Sequence, residues 1–459
     1  MKRLTIIACF MLGALAASAQ DNAQETAYRR SSLYTMMMPD PALAGEAKAI
    51  VEGTFDTIPI PDKYNDHNLD VRTVDISGIT VTEADIAAAV ESSGDGGGKK
   101  KAGKALGKGL KAVGGSSASA APAAGGDETV AKLLKYFNDN HVANQLIAKW
   151  YGMSDQMQDG SHFNYWLIAD RGLQSASQEE LAAAKNVRGG QNKIMDNAAA
   201  DLIPRTFVMV SSYSYVPAED IIALVSAAAQ TAGGMAGGKA GAIASTAANV
   251  GGAALASVLK GYFVKTTSYL FQLEWTPEIQ SEFETTWWDK EDISGFLTSD
   301  SYRLKYVGKT WDFAPATMQL SFNSDASQRL ISRATVRATD GAIAKLQKKY
   351  DQFKTLATLH TDGDGLYAYI GKKEGVGSGD KYAVLEQVMD KDGKVTFDKV
   401  GTIKVSKGKV WDNRAGAGET IEGAATGQED GDTDPTLTST RFDGKASKFM
   451  DGMLLRQEK

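Results

Sequence analysis

Two low-complexity segments most constrain what this chain of 459 residues folds into. Residues 93–126 are mainly glycine, alanine and serine with six lysines, and residues 226–258 are almost entirely small residues. Segments with so few large apolar side chains cannot bury enough surface to offset the entropy of ordering the chain. We therefore predict that both are inserts, and that the packed core comes from the residues around them.

The N-terminal residues have the pattern of a secretory signal peptide. Lys2 and Arg3 precede an apolar run, and the sequence ASA ending at Ala19 fits the small-x-small cleavage rule. We predict removal of residues 1–19 and a mature chain in the periplasm or at the outer membrane. The alternative, lipoprotein processing at Cys9, would need a longer apolar region before that cysteine. Cleavage removes the single cysteine, so the mature chain is expected to have neither a disulfide nor a cysteine-ligated metal.

Charge and hydropathy restrict the partners of the chain. A formal net charge of -6 argues against a nucleic-acid partner, because nucleic-acid binders are usually basic. The lysines of residues 99–111 and the insert at 226–258 suggest, as a weaker alternative, peripheral contact with a membrane surface. Solvated linkers explain both segments as well.

Hydrophobic spacing predicts mixed helix and sheet structure through residue 354. The predicted strands contain β-branched and aromatic residues, and the predicted helices have apolar residues three or four positions apart. We expect strands at 49–60, 202–216, 262–275, 302–309 and 316–322. We expect helices from Thr82, from Asp127, near Ser177, at 277–288 and at 325–353.

The C-terminal part has short strands with tight turns, which is typical of a small β-barrel. We predict strands at 366–370, 381–388, 394–398 and 401–405, and a closing strand in the last residues. The intervening "GKKEGVGSGDKYAVLE" of Gly371–Glu386, called here the glycine stretch, fits neither GxxxxGK[ST] nor GxGxxG, and a strand follows it where those motifs need a helix. We therefore interpret it as a hairpin turn.

These patterns give an α+β chain: a mixed helix and sheet N-terminal and central region followed by a small C-terminal β-barrel. The expected divisions are a signal peptide (1–19), a β-rich segment (20–92), a lysine-rich insert (93–126) and a central α+β domain (127–354) that contains the second insert (226–258). The last division is a barrel domain (355–459) that contains an acidic loop (415–446).

Candidate metal ligands occur together in "PDKYNDHNLD". Asp62, Asp66, His67 and Asp70 supply carboxylate and imidazole groups within one loop. A turn stabilised by Asp and Asn side chains explains the same residues. We favour the turn and expect neither a metal nor another cofactor.

Candidate ligand contacts are Trp287 and Trp288, which stand beside acidic residues in "FETTWWDKED". Such aromatic side chains can stack on sugars, but packing in the core explains them too. Glycoside hydrolysis needs two placed carboxylates, and the sequence does not pair any. We expect no catalytic residues and favour a protein that is not an enzyme.

Several segments together resemble a set of secreted envelope proteins of Gram-negative bacteria for which no activity is established. They include "IADRGLQSASQEE", "DLIPRTFVMV", "KTTSYLFQLEW" and "VWDNR". In the C-terminal part, "GKKEGVGSGDKYAV" is similar to a hairpin in the small β-barrel of flagellar assembly protein T. That resemblance implies a barrel used for contacts within periplasmic machinery.

The sequence therefore predicts a secreted, non-enzymatic envelope protein with a structural or protein-binding role. Other envelope proteins are the expected partners. A polysaccharide-binding protein or hydrolase that uses Trp287 and Trp288 is the alternative.

Overall fold

The structure is a computed structural model that describes residues 29–39, 45–91, 125–152, 163–217, 259–287, 290, 293, 295–319, 324–363, 365–391, 394–417 and 436–458. Several sequence predictions fall outside these residues. They are the signal peptide, nearly all of the lysine-rich insert, the whole of insert 226–258, Trp288, and residues 418–435 of the acidic loop.

Within the described residues the strands form two sheets, which follow one another along the chain. A five-stranded sheet has the order β2-β1-β3-β4-β5, and a seven-stranded sheet has the order β6-β12-β9-β10-β11-β8-β7. The strands of the first sheet are β1 (Ser32–Met38), β2 (Asn65–Asp66), β3 (Thr206–Pro217), β4 (Leu259–Leu273) and β5 (Leu304–Gln319). Those of the second are β6 (Ala357–Thr358), β7 (His360–Asp362), β8 (Gly365–Ala368), β9 (Lys381–Met389), β10 (Val395–Val405), β11 (Thr440–Asp443) and β12 (Leu454–Gln457).

The described helices precede, connect or follow the strands of the first sheet. They are α1 (Gly45–Thr57), α2 (Glu83–Glu91), α3 (Gly125–Asp139), α4 (Val142–Trp150), α5 (Tyr165–Ser175), α6 (Gln178–Lys185), α7 (Gly190–Asp196), α8 (Ala198–Leu202), α9 (Pro277–Trp287) and α10 (Ser324–Lys349). Among the described residues, we find no helix with the length and apolar character needed to cross a membrane. The chain is thus an α+β protein with a barrel-like C-terminal sheet, as the sequence predicts.

Helices cover both faces of the five-stranded sheet. Alternate side chains of a strand point to opposite faces, and β1 shows the consequence. Leu33 and Met37 pack in clusters with α1 and α10, whereas Tyr34 and Met36 pack in the largest cluster with α3 and α4. All four side chains are buried, so this sheet is the interior layer of a three-layer region.

The predicted strand at 49–60 is wrong, because this segment forms helix α1. Its β-branched and aromatic composition suggested a strand. However, Val51, Phe55 and Ile58 are spaced by four and three residues, which is a helical repeat, and they pack on one side against α10. The strand of this region is instead β1, which pairs in parallel with β3 and thereby brings the N-terminal segment into the central sheet.

The helix predicted from Asp127 is followed, after a break, by a second helix. His141 adopts a left-handed conformation with φ 47° and separates α3 from α4. The residues just before it are "NDN", whose side chains compete with helical hydrogen bonds. The break allows both short helices to lie on the same face of the sheet.

The barrel is nearly closed by one bent segment. β6 pairs with β12 on one side, β7 pairs with β8 on the other, and Leu359 lies between them. The Leu359 amide donates to the carbonyl of Met453 at 2.7 Å, and its side chain is fully buried in the barrel core. Residues 357–362 therefore join the two ends of the sheet.

The glycine stretch is not a hairpin turn, which corrects the sequence prediction. Strand β8 pairs with β7 and β11, whereas β9 pairs with β10 and β12. The stretch instead connects two strands that are not neighbours, and it begins with a 3₁₀ turn at Lys372–Glu374. Within the stretch, Val376 points into the core, with 2 % of its surface exposed.

Two further predictions in the barrel need correction. The segments 394–398 and 401–405 form a single strand, β10, interrupted by a bulge between Lys399 and Gly401. The acidic loop predicted at 415–446 contains strand β11, which pairs with β8 and β10.

Candidate functional site

The predicted metal-ligand loop lies beside the central sheet. Asp62 and Asp70 are exposed, and Asp66 lies in the short strand β2. The Asp66 carboxylate accepts a hydrogen bond from the amide of Asn68 at 2.8 Å, which is the geometry of an Asx turn. The fourth residue, His67, points into the protein and is 1 % exposed.

The His67 ring is part of the core. Its Nε2 lies 3.0 Å from the carbonyl oxygen of Leu146, and its ring centroid lies 4.9 Å from that of Trp150. Burial lowers the pKa of His67 to about 3, so the ring is neutral at physiological pH. The part of the chain that the structure describes contains no group of three or more His, Cys, Asp or Glu side chains placed to hold a metal ion.

Trp287 ends helix α9 and is partly buried against the largest core cluster. Its ring meets Phe296 edge-on with centroids 5.7 Å apart, and the Lys290 ammonium lies 5.1 Å from its centroid. The side chain therefore already has a protein contact on its edge and a cation near its face. Its predicted neighbour in ligand binding, Trp288, lies outside the described residues.

Three outward side chains form a row across strands β7, β8 and β11 of the barrel. In the strand register Tyr367 lies directly opposite His360 on one side and Arg441 on the other. The rings of His360 and Tyr367 stack with centroids 5.3 Å apart, and the Arg441 guanidinium lies 4.8 Å from the Tyr367 centroid. Directly opposite residues share one face of a sheet, so contact between them is built into the register. We call His360, Tyr367 and Arg441 the cross-strand row.

Tyr369 extends this surface. It stands two residues beyond Tyr367, points to the same side, and has 49 % of its surface exposed. Its ring lies 5.2 Å from that of His360 and 5.7 Å from that of Tyr367, edge-on to both.

Two carboxylates hold the ends of the cross-strand row. Arg441 donates to Asp362 at 3.0 Å, and the Asp451 carboxylate lies 3.6 Å from Nδ1 of His360. Asp451 also accepts a hydrogen bond from the Thr361 amide at 2.8 Å, which fixes it to strand β7. These contacts limit the rotamers of the row, and side chains that are already ordered lose less entropy in any contact they make.

The row is suited to binding a protein. Tyrosine and arginine are enriched among the residues that contribute most to protein–protein affinity. His360 and Arg441 lie against the ring of Tyr367, so that ring is not free to stack on a sugar. Tyr369 remains as an exposed aromatic side chain beside an ordered cationic group.

The glycine stretch forms a second structured site, at the junction between the barrel and α10. The Glu374 carboxylate accepts hydrogen bonds from the Gly371 amide and from the Asn413 side chain, both at 2.7 Å. From α10, the Lys348 ammonium donates to the carbonyl of Gly375 at 2.6 Å. Gly375 has φ 70°, and a Cβ at this position would lie 3.0 Å from Cβ of Ala344. The absence of a side chain on Gly375 therefore allows the stretch to lie close to the helix.

Two titratable groups at the same junction have pKa values shifted towards neutrality. Burial raises the pKa of Asp340, on α10, to about 6, and burial lowers the pKa of Lys63 to about 8. Such shifts are common at catalytic sites, but charge networks that join elements also produce them. Lys63 donates to the Gln347 side chain at 3.1 Å, and the charges of Lys373 and Glu374 act on both shifted groups. This arrangement matches a charge network packed between two elements.

A third polar cluster connects α6 with strand β9. The Glu180 carboxylate, 3 % exposed, pairs with Arg30 and lies 3.4 Å from the Gln387 side chain. The adjoining cavity measures ≈ 10 Å³, which is room for about one water molecule. This cluster therefore joins the barrel to the helical layer and does not offer space for a substrate.

Sequence reasoning missed the cross-strand row, although a signal was present. Leu366, Ala368 and Ile370 alternate with Tyr367 and Tyr369. The aliphatic side chains are buried in the barrel, so the tyrosines must face outward. The contacts from His360 and Arg441 could not be found in this way, because they depend on strand neighbours that are distant in sequence.

No protein-family model matches the chain, and no curated protein matches it either.

Proposed function

We propose that this chain is a secreted, non-enzymatic envelope protein whose C-terminal barrel binds other envelope proteins. The observation that carries the proposal is the cross-strand row with Tyr369, an ordered and outward surface of tyrosine, histidine and arginine. A strand that only closes a barrel needs no such side chains on its outer face. Their presence is expected where another protein covers them.

Location in the periplasm or at the outer membrane is part of this proposal. It is supported by the basic residues, apolar run and small-residue cleavage pattern of residues 1–19. A fold that packs through apolar clusters without disulfides is compatible with that compartment, since its core supplies the stability.

A binding role is favoured over catalysis by the position of the shifted titratable groups. Asp340 and Lys63 have the pKa values most suited to acid–base chemistry, but they are packed at the junction of α10 and the glycine stretch. Lys63 is held by Gln347, a residue of the same long helix. The groups therefore belong to the packed junction between α10 and the glycine stretch.

Cross-linking in envelope fractions tests the proposal. We expect the native chain to cross-link to at least one envelope protein, and Tyr369→Ser combined with Arg441→Ser to remove that product. Trp166→Ser is a matched control, because Trp166 is 75 % exposed but lies on α5, away from the barrel row. Retention of every cross-link by the double variant, or equal loss in the control, would contradict the proposal.

A further inference from the structure

Among the residues that the structure describes, most of one side of strand β10 has no neighbouring strand. The strand pairs with β9 over nearly its full length, but with β11 only at Lys404 and Val405 among the described residues. Unpaired strand edges present main-chain donors and acceptors that can pair with another chain. The part of β10 before Lys404 is such an edge.

The direction of the main-chain groups follows from the last residue of β10. The Val405 amide donates to the carbonyl of Asp380, and its carbonyl accepts from the Gly379 amide, so both groups point towards the β9 side. Direction alternates from one residue to the next along a strand. The groups of Lys404 therefore point towards β11, and those of Thr402 point the same way, beyond the end of the β11 pairing.

A groove lies along this edge. After Asp443 the chain leaves the ladder through Gly444 and turns through the 3₁₀ segment Ala446–Lys448. The space between this segment and β10 measures ≈ 560 Å³, within the range of ligand-binding grooves. Phe449 packs against Gly401, where a Cβ would lie 2.7 Å from the ring, and so forms part of the groove wall.

The groove has a basic border and exposed apolar side chains in or next to its lining. Lys445 and Lys448 line it, are exposed, and have no ion pair to any residue that the structure describes. Val400, at the bulge of β10, is 43 % exposed, and Met450 is 57 % exposed. The acidic residue nearest along the chain, Asp443, is engaged by the Ser406 hydroxyl at 2.6 Å.

The groove continues into the cross-strand row. Phe449 lines the groove, Met450 follows it, and Asp451 contacts His360 of the row. The two surfaces are thus linked through three consecutive residues.

We propose that this groove binds an extended acidic segment of a partner protein, which adds a strand to β10 through the main-chain groups of Thr402. This inference rests on the proposed protein-binding function and specifies the conformation and charge of the bound segment. Main-chain pairing supplies affinity in strand addition, while side-chain contacts supply specificity. Lys445 and Lys448 select carboxylates, and Val400 and Met450 contact apolar side chains of the same segment.

The test uses purified full-length chain and a fluorescent peptide of alternating valine and glutamate, with binding followed by anisotropy. We expect saturable binding, and weaker binding to a peptide in which lysine replaces glutamate. Lys445→Gln and Lys448→Gln should each reduce affinity by up to about fivefold, with a smaller effect at high salt.

Thr402→Pro tests the strand addition itself. Proline removes the outward amide, while the β9 ladder, which the neighbouring residues use, is retained. We expect at least about a tenfold loss of affinity, the effect of about 1.4 kcal/mol. Thr402→Val is the matched control, because it removes the hydroxyl and keeps the amide, and should bind as the native chain does. A peptide N-methylated at alternate residues gives the same test on the unaltered protein.

Two results would overturn the inference: equal binding of the glutamate and lysine peptides, or unchanged affinity for the N-methylated peptide. The envelope cross-linking assay separates this inference from the proposed function. Loss of the cross-link in the double variant Tyr369→Ser with Arg441→Ser, together with its retention in Thr402→Pro, supports the proposed function and contradicts the groove. Peptide binding that depends on Thr402, without any cross-link that the double variant removes, supports the groove and contradicts the proposed role of the row.

Discussion

The central five-stranded sheet and the C-terminal barrel differ in where their largest aromatic clusters lie. In the central region Phe137, Phe271 and Phe283 are fully buried between helices and strands. In the barrel the core is mainly aliphatic, and Tyr367 and Tyr369 lie on the outer face. Aromatic side chains stabilise a fold when buried and offer binding contacts when exposed. Under the function proposed above, the central sheet is the scaffold and the barrel is the surface that meets partners.

Charge follows the same division. The central region buries titratable groups at its edges, including His67, Asp340 and Lys63, where burial shifts their pKa values. On the barrel, Arg441 and Asp362 form a partly exposed ion pair, and such pairs add little stability. Changes in the central region should therefore alter stability, while changes on the barrel surface should alter binding.

The largest effect is expected from removing a central aromatic side chain. Phe283 contacts Tyr151, Phe163 and Phe296 at ring distances of 5.0, 4.9 and 5.7 Å. Phe283→Ala should lower the free energy of unfolding by about 4 kcal/mol, because it leaves a cavity in a packed cluster. Urea denaturation measures this loss, and the exposed Trp166→Ala should change it by less than about 0.5 kcal/mol. Similar losses in the two variants would contradict the assignment of the scaffold.

His67 should make the central region sensitive to acid. Its pKa in the folded chain is lowered to about 3, so the unfolded chain binds the proton more readily as pH falls. The stabilisation from neutral His67 is fully present above pH ~6.5 and is lost as pH falls from ~6.5 to ~3. At pH ~4 this loss lowers the free energy of unfolding by about 3 kcal/mol.

Replacing His67 tests whether its protonation causes the loss of stability in acid. His67→Gln should be less stable than the native chain at neutral pH, because the contact with Trp150 is lost, but it should lose less stability on acidification. Equilibrium unfolding at neutral and acidic pH gives the comparison. An identical decline in both proteins would show that another group causes the acid sensitivity.

Asp340 should change stability with pH in the opposite direction to His67. Its pKa in the folded chain is raised to about 6, so the ionised carboxylate destabilises the fold above that pH, and stability is regained as pH falls towards ~3.8. Asp340→Asn should therefore stabilise the protein by about 2 kcal/mol at pH ~8, somewhat less than the full shift implies, because the amide must be accommodated. The gain should vanish near pH ~4. A gain that is equal at both pH values would contradict the role of the charge.

Local sequence patterns predicted the helices and strands in which the spacing of apolar residues matches the face that is buried. The alternation in β4, the long helix α10, and the α+β class with a C-terminal barrel follow from residues close in sequence. Helix α1 was misassigned because composition was weighted over the spacing of Val51 and Phe55.

The glycine stretch was misassigned for a different reason. Two strands separated by a turn-like segment suggest a hairpin, but the neighbours of β8 and β9 are set by tertiary pairing. The hydrogen bond from Lys348 to Gly375 joins segments that no local pattern relates. The same limit applies to the cross-strand row, since Arg441 reaches Tyr367 only through the pairing of β11 with β8.

The smallest stability effect is expected at the junction between the central region and the barrel. A comparison of two glycines separates this effect from the backbone cost of replacing a glycine. Gly375 and Gly408 both have left-handed conformations, with φ 70° and 66°. A Cβ on Gly375 would lie 3.0 Å from Ala344 of α10, whereas a Cβ on Gly408 would meet nothing within 4 Å. Alanine at either position carries a backbone cost of about 1 kcal/mol.

Gly375→Ala should therefore destabilise the chain more than Gly408→Ala, by roughly another 1 kcal/mol from the displaced contact with α10. Equilibrium urea unfolding of the two variants measures the difference directly, because the backbone strain is common to both. A larger loss at Gly375 means that the barrel is held against the scaffold by the close approach of the glycine stretch. Equal losses would mean that the stretch can move away from α10 at little cost, and that the scaffold and the barrel are joined mainly through the contacts of Glu180 and Gln387.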